Sequence, residues 1–220
     1  MKRQYLGDSK DSFKWDYHDY LTRALDYRLL QVVWMMTPDD GSRDGGTSPE
    51  CFPARPEILS LCNCLRRDRD PQELSELSKR TRAGYEVALF KSDEFFADHS
   101  RVSYFPKVRR EPDRVLLLDP DNGFEPEASC CERHVRYGEV DDLLRMISPG
   151  SIISVFQHHR RKRFADDFAR IRRRLKSGYS TAIYWNALMF VIVASSKEVI
   201  GRVLRANRGY AKHKPVTILA

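Results

Sequence analysis

Two acidic stretches at the ends of apolar runs are the first places in this chain where side chains could do chemistry. Residues 114–126 read RVLLLDPDNGFEP, so an uncharged run, Val115 to Leu118, meets Asp119, Pro120, Asp121 and Asn122, with Glu125 beyond Gly123. Upstream, VVWMM runs into TPDDGSRDGG, which supplies Asp39, Asp40, Gly41 and Asp44. A third apolar run, ending at Phe156, is followed by Gln157, His158 and His159 and then Arg160 and Arg161. Carboxylates, amides and imidazoles at strand ends suit proton transfer, amine recognition or oxygen ligation of Mg²⁺ or Mn²⁺. Asp-Pro-Asp-Asn-Gly is also ordinary turn chemistry, so the residue types alone leave both readings open.

Such residues need a scaffold that brings strand ends together. Apolar spacing predicts a helix over residues 11–30, a strand over 32–36 and helical segments over 56–82 broken near Asp70-Pro71. A strand over 85–90, a short helix over 92–99 and a strand over 102–105 follow. Beyond the 115–118 run come a helix over 137–147, a strand over 151–156, a helix over 163–176, two close-set strands over 180–185 and 187–194, and a last helix over 197–206. Alternating strands and helices with continuously apolar strands imply a mainly parallel sheet covered on both faces. The close-set last pair must be antiparallel, because a parallel crossover needs a dozen residues or more. This describes one domain over residues 1–220, of Rossmann-like α/β class, ending in an antiparallel hairpin like that of class I methyltransferases. Ligands of such sheets bind beyond the carboxyl ends of the strands, where all three clusters fall.

Charge adds a second signal. The formal net charge is +7, and residues 158–176 hold nine Lys/Arg against Asp166 and Asp167, so this one segment accounts for the whole excess. On a helix from Arg163, Phe164, Phe168, Ile171 and Leu175 form the buried stripe and Arg170, Arg172, Arg173, Arg174 and Lys176 surround it. The segment Arg160–Lys176 is therefore the expected contact for nucleic acid. No apolar run approaches the ~20 residues of a membrane span, and the five cysteines show no zinc spacing, so a soluble, cytoplasmic protein with reduced thiols is expected. Cys130, Cys131 and His134 are close enough in sequence to take a metal adventitiously.

Gly7-Asp8-x-x-Asp11-x-x-Lys14-Trp15, Trp34-Met35-x-Thr37-Pro38-Asp39-Asp40-Gly41, Asp119-Pro120-Asp121-Asn122-Gly123-x-Glu125 and Gln157-His158 resemble the motifs of a family of uncharacterised bacterial proteins of similar length. More distantly, the order of elements resembles Rossmann-type ribosomal-RNA adenine-N6 methyltransferases. In those enzymes an N-terminal helix carries a polar motif ending in Lys, a first-strand loop holds S-adenosylmethionine, and Asp-Pro-Pro-Tyr closes a middle strand. That resemblance implies Lys14, Asp39, Asp40 and Gly41 at the cofactor, with Gly45 and Gly46 also close. It implies Asp119 and Pro120 at the target amino group, with Asp121 and Asn122 in the positions that follow. Glu125 and His158, from their strand-end positions, complete the expected reaction site, and Gln157, Arg160 and Arg161 the expected nucleic-acid contacts. Two departures accompany it: Asn122 replaces the stacking aromatic, for which Phe124 is the nearest substitute, and the first loop lacks Gly-x-Gly spacing. The same carboxylates support a second expectation, a metal-dependent nuclease or phosphodiesterase with Asp39, Asp119, Asp121 and Glu125 around Mg²⁺ or Mn²⁺. A third is a non-catalytic nucleic-acid-binding protein on the same fold.

Overall fold

The computed structural model describes residues 1–41, 45–105 and 113–220. Asp44, one of the acidic-loop candidates, lies outside the described residues. The elements run α1 Ser9–Ala24, β1 Leu29–Trp34, α2 Pro56–Asp68, α3 Leu77–Arg80, β2 Glu86–Phe90, α4 Arg101–Tyr104, β3 Val115–Asp119, β4 Gly123–Phe124 and β5 His134–Val135. They continue with α5 Tyr137–Met146, β6 Ile152–His158, α6 Phe164–Arg174, β7 Tyr179–Trp185, β8 Leu188–Ala194, α7 Lys197–Ala211 and β9 Thr217–Leu219. Seven strands form one sheet in the order β2-β1-β3-β6-β8-β7-β9, and β4 pairs with β5 as a separate two-stranded ribbon.

The strands β2, β1, β3 and β6 are mutually parallel, while β8, β7 and β9 continue the sheet antiparallel. An α/β fold with a parallel sheet was expected, as was the β7–β8 hairpin; β9 extends the antiparallel part by a strand that its short polar surroundings concealed. Alternate residues of the strands face opposite ways. Leu30, Val32, Trp34, Leu117 and Ile152 pack with α1, α2 and α7, whereas Val33, Met35, Leu116, Leu118 and Ile153 pack with α5 and α6. Both faces are covered, which is why the strands read as unbroken apolar runs.

Three expectations are corrected. Helix α1 stops at Ala24, because Asp26 takes a left-handed backbone (φ 56°) and Leu29-Leu30 enter the sheet as the start of β1. The expected helix over 92–99 is absent apart from a 3₁₀ turn, Asp98–Ser100. The expected strand over 102–105 is instead the short helix α4: Arg101, Tyr104 and Phe105 are buried at helical spacing and Val102 is 90 % exposed.

Candidate functional site

From β1 the chain crosses to β2 on one side and then to β3 on the other, so the carboxyl ends of β1 and β3 flank the point where the strand order reverses. A cleft opens at such a point because the two connections leave in opposite directions. Here Trp34 of β1 is in register with Asp119 of β3. Helix α1 delivers its polar residues to the same place. Asp8 caps it, accepting from the Lys10 and Asp11 amides at 2.8 and 3.0 Å. Gly7 enters the cap with φ 75° where a Cβ would meet the Cys62 carbonyl at 2.1 Å, and its N–H donates to Asp11 at 2.8 Å.

One turn further along α1, Lys14 is buried with its ammonium 2.9 Å from Asp11 Oδ1 and 2.9 Å from Asp119 Oδ2. The ammonium also lies over the rings of Trp15 and Phe156, at 5.0 and 5.4 Å from their centroids. Burial alone would lower the Lys14 pKa, but Asp11 and Asp119 outweigh it and hold it above the ordinary lysine value. Burial raises the Asp119 carboxyl, and Lys14 offsets that only in part. One cation thus serves two carboxylates. Asp119 Oδ1 has no hydrogen-bond partner among the described residues although it is fully buried. A buried acceptor in that state costs free energy until a donor reaches it.

Beside this triad is a cavity of about 210 Å³ lined by Lys2, Tyr5, Asp8, Lys10, Lys14, Asp40, Pro120, Asp121, Asn122, Arg133, Phe156 and His158, with Met1 and Asp11 completing the wall. Lys2 bridges Asp40 (2.6 Å) and Asp121 (3.3 Å), and Thr37 Oγ1 donates to Asp121 at 3.4 Å. Burial raises the Asp8 pKa to about 6, helped by the neighbouring Asp11 carboxylate. His158 Nδ1 donates to the His159 carbonyl (3.1 Å), which leaves Nε2 to accept from Lys10 Nζ (3.3 Å). Burial and then Lys10 lower the His158 pKa, so its ring is neutral at pH 7.

The cavity gathers Lys14, Asp40, Pro120, Asp121, Asn122 and His158 of the expected residues, with Asp119 directly behind it. It does not gather the others. Asp39 is exposed and accepts from the Gln4 amide (3.2 Å), and Gly41 is exposed with open space about it. Gly45 packs on the Gln4 carbonyl, and the Gly46 carbonyl accepts from Arg66. Glu125 accepts from the Tyr137 amide (2.9 Å) at the start of α5, an anion satisfying a free helix N–H. Gln157 is buried and structural: its Oε1 accepts from the Phe124 amide (2.9 Å) and its Nε2 donates to the His158 carbonyl (3.0 Å). Arg160 donates to the Phe124 carbonyl, and Arg161 is exposed. Phe124 is fully buried and stacked on Tyr137, so it offers no face to the cavity. Tyr5 and Phe156 are the aromatic rings that do.

The four carboxylates of the metal expectation are therefore dispersed: Asp119 faces Lys14, Asp121 faces Lys2, Glu125 caps α5 and Asp39 is at the surface. No three His, Cys, Asp or Glu side chains converge as metal ligands among the described residues. On α6, Arg170 is corrected from surface to interior, paired with Asp167 at 2.8 Å and bonded to Tyr137 Oη at 2.8 Å. Arg172, Arg173, Arg174 and Lys176 are exposed, Arg174 lying over the Tyr137 ring. No described helix is long and apolar enough to cross a membrane.

Sequence reasoning missed Lys2, Tyr5, Lys10, Arg133 and Phe156. Lys2 and Tyr5 precede the first periodic segment, Arg133 lies in a loop, and Phe156 reads as one more apolar strand residue. Lys10 alone had a signal, since it precedes Lys14 by four residues and so shares its face of α1. In comparisons with known proteins, no family model, no curated protein and no solved structure matches this chain.

Proposed function

We propose that this chain is a methyltransferase-like protein of the Rossmann class that takes S-adenosylmethionine at the β1–β3 cleft and acts on nucleic acid. The observation that carries the reading is Asp119 Oδ1, a buried acceptor without a donor at the end of the middle strand. An exocyclic amino group of a base supplies the missing donor, and the Pro120 carbonyl is the adjacent acceptor for its second hydrogen. The sheet supports the reading as well, since a parallel block followed by an antiparallel hairpin is the arrangement that the resemblance implies. So does the Lys14–Asp119 contact, which joins the N-terminal polar motif to the Asp-Pro motif.

The cleft suits the donor chemically. Asp8, Asp40 and Asp121 with the rings of Tyr5 and Phe156 favour a positively charged ligand, and Lys2, Lys10 and Lys14 favour a carboxylate. The donor's contribution is an electrophilic methyl group for in-line displacement. The chain's part is positioning: Asp119 and Pro120 orient the amine, and Lys14 fixes Asp119. The neutral His158 ring holds a proton-accepting Nε2 at the cavity edge. At about 210 Å³ the cavity is smaller than the ~300–1,000 Å³ usual for small-molecule sites, so a whole donor displaces the wall formed by residues 1–5. The exposed Arg172, Arg173, Arg174 and Lys176 supply the contact with phosphates.

The test is transfer of a labelled methyl group from S-adenosylmethionine to RNA and to DNA, with Asp119→Ala as the paired variant. Incorporation by the native chain that falls at least about a hundredfold in Asp119→Ala supports the reading, a loss of the size expected when a positioning contact at the reacting group is removed. Absence of incorporation into both polymers, together with absence of donor binding, contradicts it. A second reading, a nucleic-acid-binding protein without catalysis, is favoured by Asn122, which puts an amide where a stacking aromatic would stand. Under that reading Arg172→Gln/Arg173→Gln abolishes RNA binding and Asp119→Ala leaves it intact.

A further inference from the structure

Away from the Lys14 triad, the β4–β5 ribbon brings a thiol, an imidazole and an amide into one line. The Cys131 carbonyl accepts from the His134 amide (3.0 Å), closing a tight turn that sets Cys131 Sγ 3.4 Å from His134 Nδ1. On its other side, His134 Nε2 lies 3.5 Å from Asn122 Nδ2, and β4–β5 pairing holds Asn122 in place through its N–H to the Arg133 carbonyl (2.9 Å). The Cys131 backbone N–H also points at Nδ1, at 3.4 Å. A backbone N–H can only donate, so Nδ1 is the bare nitrogen and Nε2 carries the hydrogen. The Asn122 atom facing the ring is Nδ2; turning the side-chain amide by 180°, which exchanges its two near-isosteric ends, brings Oδ1 to that place, where it accepts the hydrogen and fixes the tautomer.

The turn is rigidly supported. Arg101, nearly fully buried, donates to the Cys131 carbonyl (2.6 Å) and the His134 carbonyl (2.9 Å), and is itself held by Glu139 at 2.8 Å. Burial lowers the His134 pKa, followed by the charges of Arg160, Arg101 and Arg133, with Asp121 opposing, so the ring is a free base at pH 7. Cys131, His134 and Asn122 are all partly exposed, so a small reagent can reach the sulfur.

We propose that Cys131, His134 and Asn122 form an activated-thiol site that takes covalent modification from small disulfides and carbon electrophiles. His134 Nδ1 receives the Cys131 S–H proton as the sulfur attacks, and Asn122 is the positioning residue that keeps Nδ1 bare. With a disulfide, a new S–S bond forms to Cys131 while the original S–S bond breaks and a thiolate departs. His134 gives its proton to that thiolate when it is an alkyl thiolate, and to solvent when, as with Ellman's reagent, it is a weak base. With iodoacetamide, an S–C bond forms, the C–I bond breaks and iodide leaves. Asn122 also lines the cavity beside Lys14, but the chemistry at Cys131 does not rest on methyl transfer.

The experiment is site-resolved mass spectrometry of the full chain after brief exposure to Ellman's reagent, a dianionic disulfide, and separately to neutral iodoacetamide. Exposed Cys51 is the internal reference. Cys131 is expected to react about tenfold faster than Cys51 or more with both reagents, a conservative share of the ~10²–10⁴ that general-base assistance supplies in enzyme sites. His134→Gln should bring Cys131 down to the Cys51 rate, and Asn122→Ala should remove part of the advantage. Equal rates at Cys131 and Cys51 in the native chain overturn the proposal, as does an undiminished rate in His134→Gln. An advantage seen with the dianion alone also overturns it, because the surrounding arginines would then suffice. Asp119→Ala should leave the Cys131 rate unchanged.

Discussion

The Lys14 ammonium sits 2.9 Å from Asp119 Oδ2, joining helix α1 to the end of β3 across 105 residues of chain. Both side chains are buried, and Asp11 is the third member of the group. The contact fixes how the first helix lies on the sheet and decides which strand end faces the cavity. It ties the packing of α1 to the same atoms on which the proposed reading rests.

Lys14→Met should therefore be among the most destabilising single changes in the chain. It leaves two buried carboxylates without their cation, which costs about 3–5 kcal/mol when one partner of a buried pair is removed. Urea unfolding followed by circular dichroism gives the value. A loss below about 1 kcal/mol would mean that the triad relaxes into solvent and does not hold the cleft.

A pH dependence follows from His18, which is buried with Nδ1 donating to the Lys14 carbonyl (2.7 Å) and Nε2 accepting from Ser154 (2.9 Å). Burial depresses its pKa from 6.5 to about 3, so the unfolded chain takes up a proton that the folded chain refuses. Stability from this residue is complete above pH 6.5 and is lost as pH falls toward 3, by about 2 kcal/mol between pH 7 and 5. Asp8, raised to about 6, works the other way, because its folded form takes up a proton before the unfolded form does. His18→Gln isolates the histidine part. The stability difference between native chain and variant should shrink by about 2 kcal/mol from pH 7 to 5, and a constant difference would refute the assignment.

Gly123→Ala tests the support behind the cavity. Gly123 has φ 108°, and a Cβ there would meet Gln157 Oε1 at 2.3 Å, the atom that accepts from the Phe124 amide. Strain of about 1–3 kcal/mol is expected, with loss of ligand binding through displaced Asn122 and Asp121. A stable variant with unchanged binding would show that the loop adapts without cost.

The basic face of α6 carries a salt-dependent prediction. Arg172, Arg173 and Lys176 are exposed, so replacing all three by Gln should alter stability by less than ~0.5 kcal/mol. Filter binding of single-stranded RNA from 50 to 200 mM salt should show weaker binding and a shallower slope of log K against log salt, by ~0.7 for each phosphate that the variant no longer neutralises. An unchanged slope would move the nucleic-acid interface elsewhere.

Much of this scaffold was legible because both faces of the sheet are covered, and strands that must be apolar on both sides stand out as unbroken runs. Asp8, Asp11 and Lys14 came from the motif of the resemblance, since the expected helix began only at residue 11, and Asp119 was legible as the polar end of an apolar strand. Glu125 and Gln157 were misplaced for a physical reason. A carboxylate that satisfies a helix N-terminus and an amide that pairs a loop N–H have the same residue types as catalytic groups, and only the partner tells them apart. Phe105 and Tyr104 read as strand because two aromatics after Val102 fit alternation as well as helical spacing. Lys2 and Tyr5 carry no pattern at all, since the segment before α1 is positioned by Asp39 and Asp40 from another part of the chain.

The central claim, that the cleft beside Lys14 and Asp119 takes the methyl donor, is tested most directly by thermal unfolding with S-adenosylhomocysteine for the native chain and for Asp121→Asn, a change in the cavity wall. Ligand at ~100 times its Kd adds about 2.7 kcal/mol. For a chain of this size that is a rise in Tm of roughly 5–10 °C. The account predicts that rise for the native chain and a smaller one for Asp121→Asn. No rise for the native chain at millimolar product would contradict it, and an equal rise in both would place the ligand away from this cavity.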